Sequence, residues 1–207
     1  CRPQGLRVRV PPALPILGKF TMIEIECPTV GKRMYNHRQE AKADDFLDFI
    51  NKECGDVDIK IVGEVVSAPT RAPQYKYKKH GDWTKEKGWA YFITIGDHVI
   101  KIGMTDSTLA SRFSSYQAGT LKAREKGTCS VTNYHVSEVL RTVLASMGDK
   151  VKIYALKVPH CEIEQEVLGE SQIVRQKMAH VYETRLLNLY KKFTGRFPCL
   201  SNNTSEE

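Results

Sequence analysis

The sequence predicts a mixed α/β (α+β) fold in which a small three-stranded antiparallel sheet is flanked by helices. Two short runs rich in β-branched and aromatic residues, 90–95 and 99–104, surround a Gly-Asp-His triplet, which is the pattern of a β-hairpin. A third run of this kind spans 151–158. Apolar residues at helical spacing lie between and after these runs, so strands and helices alternate along the second half of the chain.

Capping residues and apolar faces place three helices in this half. The first follows the segment Thr105 to Ser107 and runs to about Gln117, with Gly119 just beyond its end. The second spans about 132–146, and the third begins near Glu162 or Ser171 and ends near Phe193. The three strands are therefore expected to be flanked by helices.

The composition divides the chain into five segments. They are an Arg- and Pro-rich arm at 1–19, a small α/β extension at 20–66, a basic linker at 67–88, a compact domain at 89–200 and a polar tail at 201–207. The extension has two strand-like runs around a helical one but no catalytic motif. Chemistry is therefore sought in the compact domain.

Positive charge favours a polyanionic partner. Lys and Arg number 31 against 24 Asp and Glu, a formal net charge of +7. Part of the excess lies in the linker, where Lys76, Lys78 and Lys79 alternate with aromatic residues, a combination suited to phosphates and stacked bases. A solvated linker explains the same residues equally well.

Several classes of protein are disfavoured by what the sequence lacks. No apolar run approaches the roughly 18 residues of a membrane span, so no membrane partner is expected. The six cysteines include no Cys-x-x-Cys pair, which disfavours a zinc finger. No secretory signal is recognised, and an intracellular location is expected.

Four polar residues fall on successive elements of the compact domain. Tyr91 lies in a Trp-Ala-Tyr triplet on the first strand, Lys101 opens a Lys-Ile-Gly triplet on the second, Arg112 lies in the first helix and Glu183 in the last. This pattern resembles the GIY-YIG nuclease superfamily, most closely the subset with Lys in the second motif, as in GIY-YIG restriction endonucleases. Two departures are the Trp-Ala-Tyr triplet itself and an added helix within about 119–150.

The resemblance implies a phosphodiester hydrolase that uses Mg²⁺ or Mn²⁺. Glu183 would be the metal ligand, which suits ions that keep several waters and borrow phosphate oxygens. Arg112 would bind the scissile phosphate through its planar guanidinium. Lys101 would lower the pKa of Tyr91, so that the phenolate or the Tyr-Lys pair accepts a proton from water. These four residues are the predicted catalytic set.

This chemistry requires Tyr91 and Lys101 to lie on the same face of the sheet. A two-residue turn at Gly96-Asp97 would place them on opposite faces, because a shift of one residue reverses every side chain. We therefore predict a three-residue loop, 96–98, or a bulge that has the same effect.

Weaker candidates surround this set. His180, Asn202 and Asn203 could support the site, as could His98 and His135, although a structural role is more typical of all three histidines and His180 is the best placed of them. Glu162, Glu164 and Glu166 are rivals to Glu183 but resemble solvated acids at the start of a helix. Further residues that could meet the DNA backbone are Tyr116, Lys122, Arg124 and Lys126.

The favoured function is a metal-dependent endonuclease that cuts DNA at specific sites, of the restriction or homing type. DNA is the expected partner, and a homodimer would explain how one metal site per chain cuts both strands. The alternatives are a non-catalytic nucleic-acid-binding module on the same scaffold and a repair or RNA-directed nuclease.

Overall fold

The computed structural model describes residues 22–70, 73–146, 150–159 and 161–201, which form a mixed α+β fold. The strands are β1 (Ile23–Cys27), β2 (Gly31–Tyr35), β3 (Lys60–Ser67), β4 (Tyr75–Lys79), β5 (Trp89–Ile95), β6 (His98–Thr105), β7 (Val151–Lys157), β8 (Cys161–Val167) and β9 (Glu170–Gln176). The helices are α1 (Ala43–Cys54), α2 (Leu109–Gln117), α3 (Leu121–Glu125), α4 (Val131–Ser146) and α5 (Ala179–Thr194).

The central sheet has five strands in the order β4-β3-β7-β5-β6, and every neighbouring pair is antiparallel. The predicted sheet of three strands was therefore too small. Its three strands, β5 to β7, are present, but β7 also pairs with β3, and β3 with β4. Because β3 and β4 precede Trp89, the sheet extends across the predicted boundary between the linker (67–88) and the compact domain (89–200).

Strand β4 lies within the segment predicted to be a linker. Its sequence, Tyr-Lys-Tyr-Lys-Lys, turns Tyr75 into the core at 1% exposure while the lysines remain at the surface. Alternation of one buried and one solvated side chain is the pattern of an edge strand. The basic residues of this segment are therefore held on the sheet edge.

Helices cover both faces of the central sheet. On one face, a core cluster joins Tyr91 and Ile93 of β5 to buried residues of α2 and α4. On the other face, Phe92 contacts Phe46 of α1, which also packs edge-on against Tyr190 of α5. Because all seven residues of β5 are buried, this strand is the centre of the fold.

The start of the last helix was predicted wrongly. In place of helix, the segment from Cys161 to Gln176 forms an exposed β8–β9 hairpin, and α5 begins at Ala179. Leu168 and Gly169 make its turn, both at positive φ. Glu162, Glu164 and Glu166 therefore lie on one side of a strand, not in the first turn of a helix.

His135 of α4 makes stability depend on pH. It is 2% exposed, its Nδ1 is hydrogen-bonded to the Tyr35 hydroxyl, and burial together with Arg33 and Arg124 lowers its pKa to about 4. Between pH 6.5 and 4 the unfolded chain therefore binds a proton at His135 that the folded chain does not bind. The free energy of unfolding decreases as the pH is lowered through this range. Between pH 7 and 4.5 we expect His135 to account for a loss of about 2–3 kcal/mol in the free energy of unfolding.

Urea unfolding at the two pH values measures this loss. His135→Gln, which keeps an acceptor for Tyr35 but does not titrate, is expected to lose less stability between pH 7 and 4.5 than the wild type. Equal losses in the two proteins would contradict the assignment to His135.

Among the described residues, no helix combines the length and the apolar character needed to cross a membrane.

Candidate active site

The β5–β6 hairpin brings Tyr91 and Lys101 to the same face of the sheet. Ile95 pairs with His98 and Thr94 with Val99, so the turn has two residues. The register then shifts at a bulge, after which Ile93 pairs with Lys101 and Tyr91 with Gly103. The three-residue loop was wrong, but the bulge offered as its equivalent is confirmed, and it restores the shared face.

Gly103 provides the space in which the Tyr91 ring lies. A Cβ atom added at Gly103 would stand 2.6 Å from the Tyr91 hydroxyl and 2.7 Å from Cζ. Such contacts are far shorter than any that a side chain tolerates, so the last position of the Lys-Ile-Gly triplet must be glycine for steric reasons. The triplet and Tyr91 therefore form one packed unit.

Arg112 and Tyr116 of α2 fix the Tyr91 hydroxyl. Arg112 Nε donates to the Tyr91 oxygen at 2.8 Å, and Arg112 Nη2 donates to the Tyr116 oxygen at 3.1 Å. The two hydroxyls are hydrogen-bonded to each other at 2.7 Å, and the guanidinium carbon lies 4.7 Å from the Tyr116 ring centroid. One cation thus orients both phenols.

Tyr116 was predicted to meet the DNA backbone, but it has no exposed surface. It instead contributes a hydroxyl to the Tyr91 network, a role that the sequence analysis missed. The available signal was its position one helical turn after Arg112, on the side of α2 that packs against the sheet.

The pKa of Tyr91 moves in the opposite direction to the one expected. Burial raises the pKa well above 10, while Arg112 opposes this effect. The cation that contacts the hydroxyl is Arg112 and not Lys101. Because burial outweighs its effect, the neutral phenol is the stable form in the folded protein.

Lys101 is the more readily titrated group of the pair. Its side chain emerges from β6 among buried residues, and only 7% of the residue is exposed. Burial lowers its pKa to about 8, with Arg112 acting in the same direction and Glu183 opposing both. A substantial fraction of Lys101 is therefore an uncharged amine slightly above neutral pH.

Glu183 lies on α5, half-buried, within the electrostatic field of Lys101 and Arg112. The helix packs onto the sheet through Ala179, Leu186 and other apolar residues, which places Glu183 at the edge of that contact. Burial raises the pKa of Glu183, whereas Lys101, Arg112 and His180 lower it. The structure thus brings all four predicted catalytic residues together.

A divalent cation fits this carboxylate. Glu183 is partly desolvated, and a half-buried carboxylate gains from a cationic ligand. No group of three or more His, Cys, Asp or Glu residues that could hold a metal occurs in the described part of the chain. A single protein carboxylate suits Mg²⁺, which retains most of its waters. His180 is exposed and lies one turn before Glu183.

The C-terminal segment runs along the free edge of β6 beside the site. Leu200 N donates to Ile100 O at 2.9 Å, and Ser201 Oγ accepts from Ile102 N at 2.9 Å while donating to Ile102 O at 3.2 Å. These bonds fix the backbone on both sides of Lys101, a role for Ser201 that the sequence did not reveal. Asn202 and Asn203 lie outside the described residues.

The residues predicted to contact DNA outside the site differ in whether other groups of the protein already bind their side chains. Lys122 and Lys126 are exposed in and beside α3. Arg124 is instead held within the protein, with Nη2 donating to Thr29 Oγ1 and Nη1 to Cys129 O, both at 2.6 Å. The lysines of β4 are all exposed, but Lys78 has Glu64 as an ion-pair partner at 3.5 Å.

Solved structures with the same fold include a restriction endonuclease and a bacteriophage endonuclease variant. The restriction endonuclease HPY188I in complex with product DNA matches with a TM-score of 0.50 and 23% identity, over 81% of this chain and 89% of that one. The E118A mutant of bacteriophage T4 EndoII matches with a TM-score of 0.50 and 18% identity, over 73% and 96% respectively. Both have the GIY-YIG fold, which confirms the predicted resemblance. No protein-family model matches the sequence, and no curated protein matches it either.

Proposed function

We propose that this protein is a metal-dependent endonuclease that hydrolyses DNA phosphodiester bonds at specific sites. The observation that carries the proposal is the convergence of Tyr91, Lys101, Arg112 and Glu183, from four separate elements, at one place on the fold. A solved restriction endonuclease with product DNA has the same fold and supports DNA as the substrate. Because the described residues of a chain form one such site, a homodimer would cut both strands.

In the proposed reaction, Arg112 binds the scissile phosphate. Two of its N–H groups hold the phenols, and the guanidinium carries further donors for phosphoryl oxygens. The neutral Lys101 amine accepts a proton from water as the new P–O bond forms and the bond to the 3′ oxygen breaks. The leaving oxygen takes a proton from solvent.

Tyr91 acts as a neutral phenol that positions the Arg112 guanidinium, because its own side chain has no exposed surface. Its hydroxyl is fixed by Arg112 and Tyr116, so it keeps one orientation throughout the reaction. Glu183 would hold Mg²⁺ or Mn²⁺, which would neutralise charge on the phosphoryl oxygens. The positions of Lys101 and Arg112 around Glu183 fit this division of roles.

Plasmid cleavage tests the proposal directly. Supercoiled DNA incubated with the protein and Mg²⁺ is expected to become nicked or linear, whereas EDTA is expected to prevent cutting. Tyr91→Phe, which removes one hydroxyl, is expected to slow cutting by about 100-fold. A non-catalytic binding module would shift DNA in a gel and leave it intact with Mg²⁺, which would overturn the proposal.

The rate of cleavage is expected to follow the titration of Lys101. Because its pKa is lowered to about 8, the reactive amine is scarce below that pH and predominates above it. The single-turnover rate should therefore rise about tenfold per pH unit below 8 and level off above it. Lys101→Met should lose this dependence together with most activity. A rate that is flat from pH 6 to 8.5 would contradict the assignment of Lys101 as the base.

A further inference from the structure

Apart from the candidate active site, a polar cleft lies between the edge strand β4 and helix α2. It has a volume of about 210 Å³ and is lined by Lys76, Tyr77, Lys79, Trp83, Ala110, Phe113, Ser114 and Gln117. Trp83 forms its floor, where the indole Nε1 donates to Val62 O at 2.7 Å. A Cβ atom at Gly63 would stand 2.4 Å from Trp83 Cζ2, so the ring is seated against β3 and the cleft keeps a fixed shape.

The cleft carries positive charge that none of the described acidic residues neutralises. Across the described ranges, neither Lys76 nor Lys79 has a carboxylate within ion-pair distance, whereas Lys78 on the same strand pairs with Glu64 at 3.5 Å. Lys79 Nζ lies 5.9 Å from the Trp83 ring centroid, which holds the ammonium at the rim. The Lys79 ammonium at this opening attracts an anion, and Lys76, which also lines the cleft, adds positive charge beside it.

One neutral donor, the Gln117 amide, and the small polar residue Ser114 complete the lining. Gln117 Nε2 donates to Tyr75 O at 3.3 Å, which orients the amide and leaves its second hydrogen for a ligand. Ser114 is exposed at the same opening, with its hydroxyl donating to Ala110 O at 2.8 Å. Ammonium groups with an oriented amide suit phosphate oxygens, whereas a nucleobase would need a broad aromatic face, and Trp83 and Phe113 are only 2% and 1% exposed.

The cleft is distinct from the site of cleavage. Ser114 follows Arg112 by two residues, which is a rotation of about 200° around α2. Since a helix is about 10 Å across, the cleft and the Arg112 guanidinium are on the order of 10–15 Å apart. Since this distance exceeds the axial rise of about 3.4 Å per nucleotide of one DNA strand, an occupant phosphate would be a different phosphate from the scissile one, on the same strand or on the other.

We propose that this cleft, formed by Lys76, Lys79, Ser114 and Gln117, binds a single non-scissile phosphodiester of the nucleic-acid substrate. The inference rests on the proposed function. It adds a second contact between the protein and its nucleic-acid substrate, on the side of α2 away from Arg112. The occupied cleft anchors the strand, so that α2 presents Arg112 to the scissile phosphate. Lys78, which has an acidic partner, is not part of the contact.

Fluorescence anisotropy with a labelled duplex in EDTA tests the inference without requiring cleavage. The equilibrium constant is measured between 50 and 300 mM KCl for the wild type, for the Lys76→Ala/Lys79→Ala double variant and for Ser114→Asp. In the double variant, the slope of the log of the association constant against log salt is expected to be shallower by about one to two. Binding at 100 mM KCl is expected to be at least tenfold weaker. Ser114→Asp, which places a carboxylate at the cleft, is expected to weaken binding as strongly.

Lys78→Ala is the matched control, because it removes a lysine of the same strand that already has a partner. It is expected to change affinity less than threefold, and thermal unfolding checks that all variants fold. An unchanged slope in the double variant, or an equal loss in Lys78→Ala, would overturn the phosphate site, as would a wild type that does not bind DNA. A protein that binds through the cleft but never cuts with Mg²⁺ would refute the nuclease function alone.

Discussion

Glu183→Gln is expected to reduce Mg²⁺-dependent cleavage by about 10³-fold or more while leaving the protein folded. The substitution keeps the shape of the side chain but removes the charge that would hold the cation. Burial raises the pKa of Glu183, although the positive charges of Lys101 and Arg112 oppose this effect. The ionised carboxylate is therefore less stable in the folded protein than in water. Neutralising it therefore should not lower the melting temperature.

Loss of activity without loss of stability is the signature of a residue kept for function. Single-turnover cleavage and thermal unfolding measure the two effects on the same preparation. Glu166→Gln is the control, because Glu166 was a rival acid in the sequence and lies exposed on β8. Its variant is expected to cut at the wild-type rate. If Glu183→Gln cuts normally, or if Glu166→Gln is the inactive variant, Glu183 is not the metal ligand.

The hairpin of the candidate site was predictable because its register follows from a chemical requirement. The period-two pattern of 90–95 and 99–104 placed both strands, and the demand that Tyr91 and Lys101 share a face excluded an unbroken ladder with a two-residue turn. The structure meets that demand with a bulge. The choice between bulge and longer loop depends on tertiary contacts, such as the bond from Leu200 N to Ile100 O, which a local pattern does not contain.

The remaining errors have a common physical origin. In the segment from Cys161 to Gln176, acids and apolar residues fit both helical and alternating spacing, and the two-residue turn at Leu168-Gly169 decides for a hairpin. Strand β4 looked like a linker because only two of its residues face the core. Its pairing with β3 supplies the backbone hydrogen bonds that a short polar run does not reveal.

The electrostatics of the site could not be deduced from residue identity. The sequence placed Lys101 near Tyr91 and therefore predicted a lowered phenol pKa. Burial reverses that effect, and the hydroxyl receives Arg112 instead. Whether a cation lowers the pKa of its neighbour or loses its own proton depends on desolvation, which only the packed structure defines.

Gly103→Ala is expected to impair both stability and catalysis. The added methyl would stand 2.6 Å from the Tyr91 hydroxyl, and the ring has no free direction of retreat because Arg112 and Tyr116 hold it. Overpacking of this kind costs about 1–3 kcal/mol in the free energy of unfolding. Since a displacement of about 1 Å in a catalytic group can cost 100-fold in rate, cleavage per folded molecule should fall by at least about 100-fold.

Gly119→Ala separates the two effects. A Cβ atom there would stand 2.4 Å from Asn133 O and 2.9 Å from Tyr116 O, so this variant is also expected to lose stability, but both contacts are with backbone oxygens and not with the Tyr91 ring or the phenol hydroxyls. Urea unfolding gives the folded fraction of each variant, and single-turnover cleavage is then divided by it. Gly119→Ala should cut at nearly the wild-type rate after this correction, and Gly103→Ala should not. If the corrected rates of the two variants agree, Gly103 serves folding alone and the glycine of the triplet has no part in placing the phenol.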